Sequence, residues 1–116
     1  MNLLFSGVTM RKRAYVVKDF INLMRQYFHG VNRIVSSSGE IIAIEGWCSS
    51  RHDDYGSYRI MLNLYEEGGQ VFGDKLNVLY YAPDGEEFVH SSTFVEGDLG
   101  EVERELQVVS NVIDCF

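Results

Sequence analysis

Cysteine and proline are scarce in this sequence, and no hydrophobic run is long. The two cysteines, Cys48 and Cys115, are too few for a disulfide scaffold in a chain of 116 residues. We expect two reduced and inert thiols, although a single bridge stays open because the sequence does not give their separation. One proline and no low-complexity run favour a compact domain over a disordered chain.

Targeting and membrane-spanning patterns are also missing. The first ten residues are weakly apolar, but the basic residues Arg11, Lys12 and Arg13 follow them, which is the reverse of a signal peptide. No stretch approaches the roughly 18 apolar residues that a membrane span needs. We therefore expect a cytoplasmic protein that is one domain over residues 1–116, with residues 1–10 as a loose N-terminal tail and Met10 as an alternative start.

Basic residues are rare outside the first third of the chain. Residues 1–35 carry six basic side chains and one acidic one, whereas residues 36–116 carry four basic and sixteen acidic ones, and the net charge is −7. Nucleic-acid binding needs a net positive footprint, so this balance counts against a nucleic-acid partner. A field of this sign instead steers basic proteins toward the C-terminal part of the chain.

Hydrophobic periodicity predicts one amphipathic helix near each end of the chain. The first helix covers roughly residues 14–29 and is ended by Gly30 in a left-handed conformation. Its start is less sharply defined, because residues 15–17 could also be extended with Asp19 as the cap. The second helix begins at Asp98, and Glu101 stands three residues later, as in a capping box.

Alternating apolar residues between these helices predict four or five strands. Turn residues separate the strands at 36–39, 66–69 and 82–85, and Gly73 is a candidate bulge. Consecutive strands joined by short turns pair antiparallel. The predicted fold class is therefore α+β, an antiparallel meander sheet of four to five strands with an N-terminal and a C-terminal helix packed on one face.

The alternation also predicts which side chains share a face of the sheet. The core face is expected to hold Tyr58, Ile60, Leu62, Leu64, Leu76, Val78, Tyr80 and Phe88. The other face is expected to hold Arg59, Met61, Tyr65, Leu79, Tyr81 and Val89. Aromatic, Met and Arg side chains are enriched at protein interfaces, so this second face is expected to bind protein. A homodimer and a foreign partner are equally good ways of covering it.

Residues that could carry chemistry do not form a known constellation. His52, Asp53 and Asp54 adjoin one another in the polar loop 49–56, but the sequence has no second ligand pair for a metal site. Nothing in the pattern places His29 or His90 beside His52 as an acid–base pair. Phosphate-binding loops and nucleophile elbows are absent. We expect no enzyme activity, no cofactor and no metal.

The leading hypothesis is a small acidic protein that neutralises a basic protein partner by occlusion, as immunity proteins, antitoxins and phage anti-defence proteins do. Its predicted contact residues are Asp53, Asp54, Arg59, Met61, Tyr65, Glu66, Glu67, Tyr81, Glu86 and Glu87. One alternative is a dimeric secretion-type chaperone that holds an effector segment, although the sequence lacks a helix between its strands. A third hypothesis is a small hydrolase that uses His52 and Asp53.

Overall fold

The computed structural model describes residues 15–115. In chain order these residues form helix α1 (Val17–Arg25), strands β1 (Gly30–Val35), β2 (Ile41–Ser49), β3 (Ser57–Glu67), β4 (Gln70–Ala82) and β5 (Gly85–Thr93), and helix α2 (Leu99–Val112). The five strands make one antiparallel sheet in the order β1-β2-β3-β4-β5. The predicted α+β meander with a helix near each end is confirmed. The expected tail over residues 1–10 and the question of Met10 lie outside the described residues.

Helix α1 is shorter than its sequence pattern indicates. It begins after the extended residue Val16, whose N–H donates to the Asp19 carboxylate at 2.9 Å. Asp19 therefore supports the first turn from its third position, and it is not the N-cap. The helix ends at Arg25. Gly30 is the first residue of β1, and its φ is not positive. The prediction that a left-handed Gly30 ends the helix is wrong.

Helix α2 begins as predicted at Asp98, whose carboxylate accepts the Glu101 N–H at 2.8 Å. The Glu101 carboxylate does not return this bond to Asp98. It accepts the backbone N–H groups of Val95, Glu96 and Gly97 at 2.8, 2.9 and 2.7 Å. These bonds lower the pKa of Glu101, with those from Val95 and Gly97 as the largest causes. One carboxylate thus fixes the loop that leads from β5 into α2.

Hairpin turns connect the strands where the turn residues predict them. Between β3 and β4, Gly68 and Gly69 both have positive φ, 61° and 80°, which is the conformation that a two-residue hairpin turn requires. A bulge at Asp74, next to Gly73, interrupts the pairing of β3 with β4, as predicted. A second bulge, which the sequence pattern did not indicate, lies at Val89 in β5.

Both helices cover the same face of the sheet, which confirms the predicted packing. The centre of this core is fully buried and comes from both helices and the inner strands, namely Phe20, Met24, Ile44, Ile60, Leu62, Leu76, Val78, Val102, Leu106 and Val109. Burying a side chain of this size stabilises the fold by about 1.5–3 kcal/mol before entropy is counted. Neither helix among residues 15–115 is long and apolar enough to cross a membrane.

A disulfide joins Cys48 in β2 to Cys115 just after α2. The two Cα atoms are 5.8 Å apart, and both residues belong to the buried core. The expectation of two reduced thiols is wrong for this structure. The sequence could not show the pairing because the residues are 67 positions apart along the chain.

Candidate functional site

One end of the sheet gathers most of the acidic side chains that the sequence singled out. The loop after β2 and the turn between β4 and β5 both lie at this end, because β2 and β4 run toward it and β3 and β5 run away from it. We call it the acidic end, and its exposed or half-exposed carboxylates are Asp53, Asp54, Asp84, Glu86 and Glu87.

The loop at the acidic end is held in place by Asp114, just after α2. The Asp114 carboxylate accepts the Ser50 hydroxyl at 2.7 Å and the His52 N–H at 3.2 Å. Its backbone carbonyl accepts the Arg51 N–H at 2.9 Å. The hydrogen bond from Ser50 is the main reason that the pKa of Asp114 is lowered. Together with the neighbouring disulfide, these contacts fix the loop against the C-terminal end of α2.

Asp53 connects this loop to strand β4 through hydrogen bonds. One of its carboxylate oxygens accepts the Tyr55 N–H at 3.1 Å, and the other accepts the hydroxyl of Tyr80 in β4. The bond with Tyr80 lowers the pKa of Asp53 and raises the pKa of Tyr80 to about 12. The Tyr58 ring lies beside the Tyr80 ring, with centroids 5.0 Å apart. Burial and then its hydrogen bond to Asp114 raise the pKa of Tyr58 to about 12.

Two adjoining clefts open on the helix side of the acidic end. One cleft of about 270 Å³ is lined by Tyr80, Ala82, Asp84, Gly85, Glu86 and Glu87. The other, of about 320 Å³, is lined by Ser50, His52, Asp53, Tyr58, Tyr80, Glu87, Val89 and Asp114. Tyr80 and Glu87 belong to both, so the clefts form one groove with carboxylates along its length. Such a lining attracts cationic groups.

The structure does not bring the three histidines together in this groove. His52 lines it, whereas His90 pairs with Glu105 of α2, with Nε2 and Oε2 2.5 Å apart. His29 is exposed just after α1. Among residues 15–115, no group of three or more His, Cys, Asp and Glu side chains is placed to hold a metal ion. The hydrolase hypothesis, based on His52 and Asp53, stays a prediction.

The sheet face opposite the helices carries four rows of neighbours that each cross at least four strands, and we call this four-row area the open face; the β3–β4 hairpin extends the same side beyond it with Tyr65 and Phe72 and with Glu67 and Gln70. From the acidic end, the rows are Ser49-Ser57-Tyr81-Glu86, then Gly30-Trp47-Arg59-Leu79-Phe88, then Asn32-Glu45-Met61-Asn77-Ser91, and last Ile34-Ala43-Asn63-Lys75-Thr93. Trp47 is 42% exposed and Phe88 is 71% exposed. The predicted interface residues Arg59, Met61 and Tyr81 lie on this face, as expected.

A chain of polar contacts crosses the open face from β2 to β5. Glu45 accepts Arg59 Nε at 2.8 Å, and the guanidinium lies 4.9 Å from the centre of the Tyr81 ring. A hydrogen bond to Glu86 raises the pKa of Tyr81. Because Arg59 is matched by Glu45 and stacked on Tyr81, it presents little uncompensated charge to a partner.

The bulge at Val89 corrects the predicted assignment of two residues in β5. Leu79 pairs with Phe88, so Phe88 lies on the open face and not on the core face. Val89 packs against the core instead of standing on the open face. The sequence alternation gave the opposite result because one extra residue in a strand reverses the faces beyond it.

Other predicted contact residues lie far from the acidic end. Glu66 and Glu67 flank the β3–β4 turn at the opposite end of the sheet, and Tyr65 stacks there on Phe72 at 5.5 Å. The structure therefore does not bring all the predicted contact residues together at one end of the sheet. Their role in binding stays a prediction.

Sequence reasoning missed several residues that complete these surfaces. The sequence pattern assigns no binding or structural role to Asp84, Trp47 or Asp114. The Pro83-Asp84-Gly85-Glu86-Glu87 run could have signalled a local acidic patch, since three carboxylates stand within four residues. No local pattern connects Asp114 with Ser50, because that contact spans 64 positions.

Comparisons with protein-family models, with curated proteins and with solved structures each gave no match to this chain.

Proposed function

We propose that this protein binds a basic protein and blocks the surface that it covers. The observation that carries the proposal is the acidic end, where Asp53, Asp84, Glu86 and Glu87 line a groove together with two tyrosines. Arg51 is the one Lys or Arg within the loop and turn that form this end. Charged patches of one sign increase the rate of encounter with a partner of opposite charge.

Tyrosine side chains in the groove supply the second component of binding. Tyr58 and Tyr80 present aromatic surface beside the carboxylates, and Arg and Lys side chains gain from both kinds of group. A rigid site also loses less conformational entropy on binding. The disulfide and the Asp114 contacts provide that rigidity. This mode of action resembles that of immunity proteins and antitoxins, which is the class expected from the sequence.

The cellular location of the protein is also a matter of proposal, and the disulfide bears on it. The cytoplasmic location was expected because the sequence shows no signal-peptide pattern and no membrane span, and the Cys48–Cys115 disulfide counts against it. Such bonds persist mainly in oxidising compartments. The chaperone alternative gains no support from the fold, because no helix stands between β1 and β5 in the part of the chain described.

Two adjacent glutamate pairs allow a matched test of the proposal. The double variant Glu86→Lys and Glu87→Lys reverses charge at the acidic end, and Glu66→Lys with Glu67→Lys makes the same change in net charge at the other end. An oligo-arginine peptide serves as the first probe, followed by proteins that cross-link to the wild-type chain in cells of its source. The 86/87 variant should lose most of the association rate, with a larger loss at low salt.

Two results would contradict the proposal. One is an equal loss of association in the 66/67 and 86/87 variants, since net charge alone would then explain the binding. The other is a rate that neither variant nor salt changes.

A further inference from the structure

The open face is a surface that the proposed function leaves unexplained. Both described helices pack on the other side of the sheet, and Trp47 and Phe88 remain exposed on this one. We propose that two copies of this chain pack against each other through their open faces, with the strands of one copy antiparallel to those of the other. This inference goes beyond the proposed function, which concerns the acidic end.

Charge distinguishes the open face from the rest of the molecule. The chain carries a net charge of −7, whereas the charged residues in the four rows are Glu45, Arg59, Lys75 and Glu86, whose charges cancel. The two nearest the middle form an ion pair with each other. A basic partner gains nothing from a neutral surface, so the occupant has to be neutral and partly apolar itself. A second open face meets that description.

Its composition also fits a protein contact. The second row crosses the sheet as Trp47, Arg59, Leu79 and Phe88, and Met61 and Tyr81 adjoin it. Trp, Tyr and Arg carry much of the binding energy in measured interfaces. The acidic side chains of the hairpin turns lie at the ends of the sheet, where a polar rim is expected.

Addition of a strand at an edge of the sheet is a less suitable mode of contact. The edge strand β5 is bent by the Val89 bulge, and such bulges keep edge strands from pairing with another chain. Packing of faces does not require a straight edge. Two sheets pack about 10 Å apart with their strands roughly aligned.

The area is sufficient for a dimer that depends on concentration. Five strands about 4.8 Å apart, with rows spread over about 20 Å along each strand, give a footprint of about 500 Å² on each copy. The two copies together bury about 1,000 Å², which is the lower bound for a specific interface. We therefore expect dissociation in the micromolar range and not a permanent dimer.

Repulsion between the acidic ends selects the orientation. A parallel arrangement would bring the two acidic ends together, whereas an antiparallel one places each at the far end of the other copy. The row of Tyr81 and Glu86 then faces the row of Lys75 and Thr93 in the second copy. Lys75 and Glu86 are both exposed, so they can meet across the interface.

Sedimentation equilibrium of the full chain tests the proposal over micromolar to millimolar concentrations. Wild type should change from monomer to dimer, and added salt should strengthen the dimer, because it screens repulsion between two chains of charge −7. Binding at the acidic end weakens with salt, so the two proposals fail independently. Phe88→Ser should weaken the dimer at least tenfold. Val95→Ser, at a residue 90% exposed outside the open face, should leave it unchanged.

A charge exchange tests the orientation. Lys75→Glu and Glu86→Lys should each weaken the dimer, and the double variant, which keeps the net charge, should restore it. If the chain stays monomeric at every concentration, the proposal is overturned. The open face would then be covered by residues 1–14 or by a foreign protein. If Phe88→Ser and Val95→Ser weaken the dimer equally, the proposed interface is wrong. If the double variant does not restore the dimer, the antiparallel arrangement is wrong. Circular dichroism verifies that each variant is folded.

Discussion

The indole ring of Trp47 lies directly over Gly30, its neighbour across β1 and β2. A Cβ atom at Gly30 would stand 1.7 Å from Nε1 of that ring, so no other residue fits without moving it. Glycine is thus required at this position by the close approach of an aromatic side chain, and not by a turn.

Replacement of Gly30 by alanine should therefore displace the indole. We expect a loss of about 1–3 kcal/mol in the free energy of unfolding, as for other overpacked sites. Trp47 is the one tryptophan in the chain, so its fluorescence emission reports the displacement directly. Gly100→Ala is the control, because its Cβ meets neighbours at an ordinary 3.6 Å, and it should leave the emission unchanged. An unaltered emission in Gly30→Ala would refute the close contact.

Removal of the disulfide should be the most destabilising change considered. The bridge closes a loop of 67 positions, and the double variant Cys48→Ala and Cys115→Ala should lose about 4 kcal/mol in urea unfolding. Alkylation of the unfolded, unreduced chain followed by mass spectrometry should show both thiols protected. If the thiols are alkylated without a reductant, the bond is not formed in solution.

Stability at low pH should depend on Glu101. Hydrogen bonds from the 95–97 loop hold its pKa below the ordinary 4.5, so the unfolded state takes up the proton more readily. The stabilisation is complete above pH 4.5 and is lost as the pH falls through the folded-state value. In Glu101→Gln, the free energy of unfolding should decrease less steeply as the pH falls than in wild type. Acid unfolding followed by circular dichroism measures this decrease. Glu103→Gln on the same helix controls for the loss of one charge and should keep the wild-type slope.

Stability at high pH should depend on the tyrosines of the groove. Tyr58 and Tyr80 have pKa values near 12 against an ordinary 10.0, so the folded state holds these protons more tightly. Their contribution is complete below pH 10 and is lost as the pH rises toward 12. Ultraviolet titration should show Tyr58 and Tyr80 among the last tyrosines to ionise, and Asp53→Asn should bring Tyr80 to lower pH. The same shift in Asp54→Asn would show that the hydrogen bond to Asp53 is not its cause.

Much of the candidate surface followed from the sequence, and the errors have identifiable causes. Arg59, Met61 and Tyr81 were placed correctly because β3 and the adjacent half of β4 alternate without interruption. Phe88 and Val89 were exchanged because the bulge between them leaves no mark in the apolar pattern. Glu66 and Glu67 resemble Glu86 and Glu87 in sequence, but strand direction sends the two pairs to opposite ends of the sheet.

The sequence by itself determined the order of the elements, the antiparallel meander and the common face of both helices, because periodicity and turn chemistry act over a few neighbouring residues. Only the tertiary structure decided the Cys48–Cys115 bond, the fixing of the 49–56 loop by Asp114 and the neutral charge of the open face. Those features depend on distances between residues remote in the chain, and such distances are set by how the strands register and how the helices pack.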